Sequence, residues 1–510
     1  MSIPDRIALI ISLIAVAVAY WVAGTTFERI PHIEDEMAYV WQARLLIQEK
    51  LTIPSPPQPQ SFLVPFVVDY HGQRFGKYPP GWPAMLAIGI AFGLRNWVNP
   101  LLAGLGVWLT YRLGKRIFGD TVGLLSASLT VISPFFLMNS SSLLSHPFGL
   151  VLSAAFSLAW LEAFLPPVHP RPWIPTLLAG LALGVLAMTR PLTAVGVALP
   201  FFFHGRYLLC KGDASVRQRV LVIGAITAGL AALVFAWQYA VTGDALLNPY
   251  SLWWPYDKLG FGPGIGPSKS GHNLSMAITN TEFSLWAGIH DLFGWGKYSW
   301  VFLPFGALAI LPWRKQGRRF SLEGLLVGGV IVSLVLAYML YWVGAALFGP
   351  RYYYEGLFSL TIFTAVGMAL LAGWPIRPGQ SWINYSGWRK ARPLAMTALI
   401  ALLAATSVLF YDPIRLGGMY GLYEIRRADL EPFLTPKAQE LTPALVVVHV
   451  QRWMKYGALL DLESPTLDSP FIFVISQGER ADEAVASYFP KRKVWHYYPD
   501  QPGVFYTAPK

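Results

Sequence analysis

The chain has 510 residues, of which 54% are hydrophobic and only 13% are charged, whereas soluble proteins carry roughly 25% charged residues. This composition excludes an ordinary soluble enzyme and indicates a membrane protein. The net charge of +11 does not indicate nucleic-acid binding, because most basic residues flank long apolar runs, where they set membrane orientation. The single cysteine, Cys210, excludes an intramolecular disulfide and a zinc cluster built from thiolates.

Eleven apolar runs are predicted to cross the membrane, since about twenty apolar residues span a bilayer. They lie near residues 6–24, 97–111, 121–138, 147–165, 173–189, 192–209, 220–240, 298–313, 322–348, 357–374 and 393–411. The first run has no cleavage signal, so we expect it to be an uncleaved helix.

The apolar piece 82–94 is too short to span, because thirteen helical residues rise only about 20 Å. We predict that it is an interfacial helix on the outer surface. This choice places all basic connections on one side, which the positive-inside rule identifies as the cytoplasm. Those connections contain Arg112, Lys115, Arg116, Arg171, Arg206, Lys211, Arg217, Arg219, Arg314, Lys315, Arg318, Arg319, Arg377, Arg389, Lys390 and Arg392. The sequence therefore predicts a multi-pass protein of the inner (plasma) membrane with a cytoplasmic N-terminus.

The predicted fold is an all-α polytopic membrane domain over residues 1–411, followed by a small extracytoplasmic α/β domain over 412–510. Within the membrane domain, residues 25–96 form a first outer loop with interfacial helices, and 241–297 form a large outer loop. The α/β domain is indicated by apolar runs at 446–448 and 471–475, which are typical of short buried strands. The glycine-rich loop 241–297 is either a lid or a connector between interfacial tryptophans.

Three adjacent carboxylates, Glu34, Asp35 and Glu36, precede an amphipathic stretch in the first outer loop. One interpretation is helix capping, with Asp35 as the N-cap and Glu36 in a first turn that favours negative charge. The other is catalysis by a carboxylate at the membrane surface. Because successive helical positions are about 100° apart, at most one of the three is expected to act as a base.

Cations lie on the same predicted side of the membrane. Lys77 lies in an aromatic and proline-rich segment, and Arg190 and Arg351 lie at the outer ends of spans. Each is either an interfacial anchor or a ligand for a phosphate. His146 stands between Ser145 and Pro147. One interpretation is structural, with Ser145 as an N-cap and Pro147 in the first turn of a helix. The other is functional, with His146 orienting an acceptor or transferring a proton.

The sequence indicates no metal site. His272, Glu282, His290 and Asp291 have no compact ligand spacing, and no dinucleotide or Walker motif is present. We expect no cofactor, and the sequence does not exclude a divalent metal ion.

Two motifs resemble a known family. Asp35-Glu36-Met37-Ala38-Tyr39, with Ala43-Arg44 following and Gly76-Lys77-Tyr78-Pro79-Pro80 downstream, is similar to the first periplasmic loop of GT-C glycosyltransferases. Within these enzymes, the chain resembles the protein O-mannosyltransferases and the lipid A aminoarabinose transferases, which form a group similar to glycosyltransferase family 39. It extends more loosely through Arg190 and Arg351 to about residue 375, and no motif carries it beyond residue 412.

The resemblance implies a role for each of these residues. Asp35 would be the general base and Glu36 its supporting acid, while Lys77 and Arg351, with Arg190, would hold the phosphate of a polyprenyl-phosphate sugar. Relatives tend to carry an aspartate where this chain has His146, which would orient the acceptor or transfer a proton. Further acceptor or supporting residues would be Glu34, Tyr39, Arg44 and Tyr352.

We therefore expect a membrane glycosyltransferase, hexosyl- or pentosyl-transferring, that moves a sugar from a polyprenyl-phosphate donor to an acceptor hydroxyl. Its expected partners are the lipid-linked sugar, membrane lipid and a glycan, lipid or protein acceptor, but not nucleic acid. A flippase or transporter is the first alternative. That class places ionisable residues deep in its spans, whereas these spans are nearly free of charge. A membrane-anchored assembly module acting through residues 412–510 is the second alternative.

Overall fold

The computed structural model describes residues 1–311, 321–380 and 391–510. The predicted basic residues Arg314, Lys315, Arg318, Arg319, Arg389 and Lys390, and the end of the run 298–313, lie outside the described residues. The described chain forms two compact units. The first unit comprises Met1–Val22, Asn99–Val234 and Tyr256–Gly417, and the second comprises Ala23–Val98, Phe235–Pro255 and Gly418–Lys510. This division cuts across the sequence-based boundary at residue 411, and the assignment of 1–411 and 412–510 as separate domains stays a prediction.

The first unit is helical. Its α-helices, some of which run a few residues into the second unit, are Ile3–Thr25, Val98–Phe118, Asp120–Val131, Pro134–Ser140, His146–Phe164, Trp173–Thr189, Pro191–Lys211, Ala214–Thr242, Leu274–Asp291, Leu303–Leu308, Leu322–Tyr338, Leu357–Ala372, Ala391–Thr406 and Asp412–Gly417. A 3-10 helix at Arg351–Gly356 leads directly into Leu357–Ala372. That last helix is buried along nearly its whole length and packs against 120–131, 303–308 and 322–338.

Six helices among the described residues are long and apolar enough to cross a membrane, or seven if a bent pair counts as one span. These helices support membrane integration, and the expected number of eleven spans stays a prediction. The bent pair replaces the straight span expected at 121–138, with an angle of 63° between 120–131 and 134–140. The bend arises because Ser133 caps a new helix, its hydroxyl accepting from the Phe136 amide, and Pro134 occupies the first turn.

Two expected spans are shorter in the structure. The described part of 298–313 holds only the helix 303–308, and the run 322–348 is helical only to Tyr338. Beyond Tyr338, side chains of the helix 274–291 form hydrogen bonds with the backbone of this run. Asn280 donates to the Trp342 carbonyl, and the Ser284 hydroxyl accepts from the Ala345 amide. These bonds satisfy the backbone outside a helix.

The second unit contains the first-loop helix Glu34–Ile47 and the helix Gly81–Ala91. Helices were expected in both places, and their position at the membrane interface stays a prediction. Between them lie strands β1 (Ile53–Pro54), β2 (Val67–Tyr70) and β3 (Gln73–Gly76), in the antiparallel order β1-β3-β2. The β2–β3 turn consists of His71 and Gly72, both with positive φ, which is the geometry that keeps a two-residue hairpin tight.

The last part of the second unit is a four-stranded sheet. Its strands are β4 (Ala444–Val448), β5 (Phe471–Ile475), β6 (Lys493–Tyr497) and β7 (Phe505–Tyr506), in the order β5-β4-β6-β7. β4 pairs in parallel with β5 and β6, and β7 is antiparallel. With the helix Glu479–Tyr488 on one face, the sheet confirms the predicted α/β character of this region. The other face packs on residues of the first loop, including Ile30 and Met37.

Candidate active site

Asp35 lies in the first turn of the helix Glu34–Ile47 and is partly buried. The phenol of Tyr78 donates a hydrogen bond of 2.6 Å to its Oδ1. Burial and the charge of Asp35 raise the pKa of Tyr78 well above its usual value, so the phenol stays protonated and remains a donor. One carboxylate oxygen is thus oriented by Tyr78.

Glu36 has a different position from Asp35. Its side chain is buried, and Oε2 accepts from the backbone amides of His32 at 2.7 Å and Ile33 at 3.3 Å. The capping interpretation expected Asp35 as the N-cap, but the N-cap residue is Ile33. The carboxylate that accepts the backbone amides at the helix start belongs to Glu36. This arrangement leaves Asp35 as the less buried of the two.

Lys77 directly follows β3 and is buried. Its Nζ lies 3.5 Å from the centroid of the Phe66 ring, 4.8 Å from that of Tyr250, 4.9 Å from that of Trp254 and 5.4 Å from that of Tyr78. Aromatic faces attract an ammonium group at such distances. The Lys77 ammonium therefore lies among rings and not at the protein surface, where an interfacial anchor would extend it.

The supporting residues predicted in the first loop separate into two places. Tyr39 packs on Tyr78, with ring centroids 4.5 Å apart, and so belongs to the Asp35 side of the helix. Arg44 instead contacts Asp461, at 3.1 Å between its Nη2 and the Oδ1, and it also donates to the backbone carbonyls of residues 460, 461 and 463. Glu34 is partly buried at the helix start.

In the first unit, His146 is buried at the start of the helix His146–Phe164. Its Nδ1 lies 3.2 Å from Oε1 of Glu355, and Nε of Arg190 lies 3.1 Å from the same oxygen. Arg190 also donates to the hydroxyls of Ser145 at 3.2 Å and Tyr338 at 3.0 Å. The structure thus brings two predicted site residues together around a carboxylate that the sequence did not single out.

Arg351 and Tyr352 lie at the start of the 3-10 helix Arg351–Gly356. The Arg351 guanidinium is 5.7 Å from the Tyr352 ring centroid. The Tyr352 ring stacks in parallel on the Tyr338 ring, with centroids 4.9 Å apart. The Tyr338 hydroxyl accepts a hydrogen bond from Arg190. Through these rings Arg351 lies in the same aromatic and cationic cluster as Arg190.

Three of the four metal candidates have other partners. Asp291 accepts from Tyr411 and Arg415, His290 contacts the Trp286 carbonyl, and His272 contacts the Met339 carbonyl. Across residues 1–311, 321–380 and 391–510, no three His, Cys, Asp or Glu side chains are grouped to hold a metal ion.

The predicted outer loop 241–297 contains regular secondary structure. It contains the 18-residue helix Leu274–Asp291. The glycines 260, 262, 264, 266 and 271 all have positive φ, so they serve specific turns in this fold. The segment is tied to the end of the helix 322–338 by a bond from the Gly260 amide to the Leu340 carbonyl.

The comparisons with known proteins agree with this architecture. Residues 79–238 match the family model of dolichyl-phosphate-mannose-protein mannosyltransferases, and no match to a curated protein sequence was found. The crystal structure of ArnT from Cupriavidus metallidurans bound to undecaprenyl phosphate is similar over 95% of this chain and 89% of that chain, at 15% identity and a TM-score of 0.57.

The chain has the GT-C glycosyltransferase fold. The apo form of the same ArnT gives a TM-score of 0.56 at 15% identity, covering 94% of this chain and 88% of that one. The oligosaccharyltransferase of Archaeoglobus fulgidus in complex with Zn and sulfate gives 0.50 at 13% identity, covering 94% and 67% respectively. The resemblance to the GT-C fold expected from the first loop is therefore confirmed. The family-model match contains His146 and Arg190 but begins after Lys77.

Two residues of this GT-C chain were missed as site residues. Tyr78 was part of the recognised Gly76-to-Pro80 motif, and its hydroxyl could have been considered as a donor. Glu355 stands four residues after Arg351, and its isolated charge beside an apolar run was the available signal.

Proposed function

We propose that the protein is a membrane glycosyltransferase that moves a sugar from a polyprenyl-phosphate donor to an acceptor hydroxyl. The observation that carries the proposal is the hydrogen bond from the Tyr78 phenol to the Asp35 carboxylate. Tyr78 directly follows Lys77, whose ammonium is surrounded by aromatic rings. Support comes from the fold it shares with ArnT, whose structure holds undecaprenyl phosphate.

The transfer needs a base for the acceptor proton and positive charge near the leaving phosphate. Asp35 is assigned as the base, since one carboxylate oxygen is held by Tyr78 and the residue is only partly buried, whereas Glu36 is fully buried. Glu36 is assigned to hold the start of the helix, because its carboxylate already accepts two backbone amides. Lys77 is assigned to the donor phosphate.

In the reaction, the bond from the sugar's anomeric carbon to the phosphate oxygen breaks, and a bond from that carbon to the acceptor oxygen forms. The acceptor proton passes to Asp35, and the electron pair of the broken bond remains on the phosphate. Arg190 and Arg351 are proposed as further phosphate ligands, and His146 as an acceptor-orienting group. We propose no cofactor.

We further propose that Asp35 and Lys77 face the extracytoplasmic side of a plasma membrane, with a cytoplasmic N-terminus. The basic connections at Arg112 to Arg116 and at Arg217 and Arg219 support this orientation. Labelling of a cysteine placed at Ile88, which is exposed on the helix 81–91, tests it in a Cys210→Ser background. Labelling from outside intact cells is expected, and labelling only after permeabilisation would reverse the orientation.

The function is tested by incubating the purified protein with a panel of undecaprenyl-phosphate sugars and detecting release of undecaprenyl phosphate. Release with one donor, lost in Asp35→Asn, is expected. If wild-type protein releases lipid phosphate from none of the donors but moves an intact lipid-linked sugar across a vesicle bilayer, the flippase alternative is correct.

A further inference from the structure

The first-loop helix Glu34–Ile47 is held on two opposite sides within the second unit. On one side, the Gln42 amide donates to the Tyr78 carbonyl at 2.9 Å, and Tyr78 donates to Asp35. The close approach needs Gly76, since a Cβ there would lie 2.3 Å from the Gln42 side chain. This side carries the proposed chemistry.

The opposite side of the helix is covered by the C-terminal region. Met37 is part of the apolar core that includes β4 and β5, and its terminal methyl group fills the space beside Gly457. Trp41 and Leu45 pack against Leu460. The core of the C-terminal region thus extends onto the helix that carries Asp35.

A buried ion cluster fixes this contact. The Asp461 carboxylate, 11% exposed, pairs with Arg44 at 3.1 Å through Oδ1 and with Arg95 at 3.0 Å through Oδ2. Arg95 also donates to the Arg29 carbonyl just before the helix. Burial opposes ionisation of Asp461, but the charges of Arg95 and Arg44 outweigh it and lower its pKa, so the cluster is ionised at neutral pH.

We propose that Asp461 is a positioning residue for catalysis, through which the C-terminal region fixes the helix bearing Asp35. Through Arg44 it contacts the last turn of that helix, and through Arg95, which donates to the Arg29 carbonyl, it contacts the segment that precedes the helix. The role rests on the proposed function, because positioning has a kinetic effect only if Asp35 acts in transfer. It gives residues 418–510 a part in the reaction, as a support for the catalytic helix.

The test uses the full-length protein with Asp461→Asn, which keeps the side-chain shape and removes the charge. The matched control is Glu424→Gln, since Glu424 forms an exposed ion pair with Lys455 in the same region. We expect amide hydrogen exchange in residues 34–47 to accelerate in Asp461→Asn while exchange in 3–25 and 146–164 stays unchanged. The control variant should match wild type throughout.

The kinetic arm separates positioning from loss of folded protein. A displacement of about 1 Å costs up to roughly 100-fold in rate, so kcat is expected to fall by about 10- to 100-fold. Binding of undecaprenyl phosphate should keep its stoichiometry and stay within about 3-fold in affinity, since the Lys77 ammonium is held among the rings of Phe66, Tyr250 and Trp254. Unchanged exchange in 34–47 together with unchanged kcat would overturn the proposal.

Two further outcomes are distinguishable. If wild type transfers no sugar yet exchange in 34–47 still accelerates in Asp461→Asn, the proposed function fails and the support of the helix stands as structure alone. If Asp461→Asn does not give a monodisperse protein, Arg44→Lys replaces it, because it keeps the charge but loses the guanidinium's several hydrogen bonds. Wild-type exchange and kcat in Arg44→Lys would then overturn the proposal.

Discussion

The ammonium nitrogen of Lys77 lies 3.5 Å from the centroid of the Phe66 ring, with Tyr250 and Trp254 also within 5 Å. A desolvated contact of this kind is worth about 2 kcal/mol. The rings therefore restrict where the charge of Lys77 can lie. A cation fixed in this way loses little freedom when it binds a phosphate.

The first prediction concerns this aromatic enclosure. Phe66→Leu should weaken binding of undecaprenyl phosphate by about 10-fold, since Lys77 loses the face that is nearest to it. Lys77→Ala should weaken binding more. Isothermal titration of the detergent-solubilised protein measures both, with Phe92→Leu as the control because Phe92 is exposed at the end of the helix 81–91. Equal affinities for wild type and Lys77→Ala would remove Lys77 from the phosphate site.

The second prediction concerns the base and its hydrogen-bond donor. Asp35→Asn should lower kcat by about 10²- to 10⁴-fold, the usual contribution of a general base. Tyr78→Phe should lower kcat by about 10- to 100-fold, because a hydrogen bond to a charged group is worth about 1.5–3 kcal/mol. Single-turnover assays check both, and Tyr70→Phe is the control, since Tyr70 lies on β2 in the hairpin that precedes Tyr78. Wild-type turnover in Asp35→Asn would disprove the assignment.

The third prediction concerns the buried carboxylate of the first unit. The helix 146–164 passes so close to Glu355 that a Cβ at Gly149 would lie 2.7 Å from its Oε1. Gly149→Ala should therefore displace Glu355 from His146 and Arg190. Breaking a buried ion pair costs about 3–5 kcal/mol, so thermal unfolding should occur at a lower temperature. Gly224→Ala is the control, since a Cβ there has no neighbour within 4 Å, and equal unfolding temperatures would contradict the prediction.

Much of the second unit was predictable from local sequence. Acidic residues at 34–36 before an apolar stretch predicted a helix start, and the structure begins a helix at Glu34. The apolar runs in the last hundred residues predicted β4 and β5 within about two residues. These features are local, so the sequence alone carries them.

The site contacts were not predictable, because they join residues far apart in the chain. His146 and Glu355 are separated by 209 positions, and Arg44 and Asp461 by 417. No periodicity specifies such pairs. Arg44 shows the consequence. The resemblance implied an acceptor or supporting role for it, and the structure directs its side chain to the C-terminal region. Nine helical residues at about 100° each place Arg44 on the side of the helix opposite Asp35.

The last prediction concerns pH and Glu463, which lies two residues after Asp461. Burial raises the pKa of Glu463 to about 8, although a hydrogen bond from the Phe473 amide and the nearby arginines Arg74, Arg44 and Arg492 act in the opposite direction. Between its usual pKa near 4.5 and about 8, the unfolded chain has released this proton while the folded chain retains it. Raising the pH through this window therefore favours unfolding.

Glu463→Gln removes this titration, so its unfolding free energy relative to wild type should increase as the pH rises from 5 to 8 and then level off. The difference in unfolding free energy is measured at each pH by denaturant unfolding, with hydrogen exchange of amides in β4 and β5 as the probe. Asp468→Asn is the control, because the pKa of Asp468 is lowered by hydrogen bonds from Ser464 and Thr466 and its titration falls below this window. A constant difference between Glu463→Gln and wild type across the window would mean that Glu463 is ionised in the folded protein, paired with its arginine neighbours.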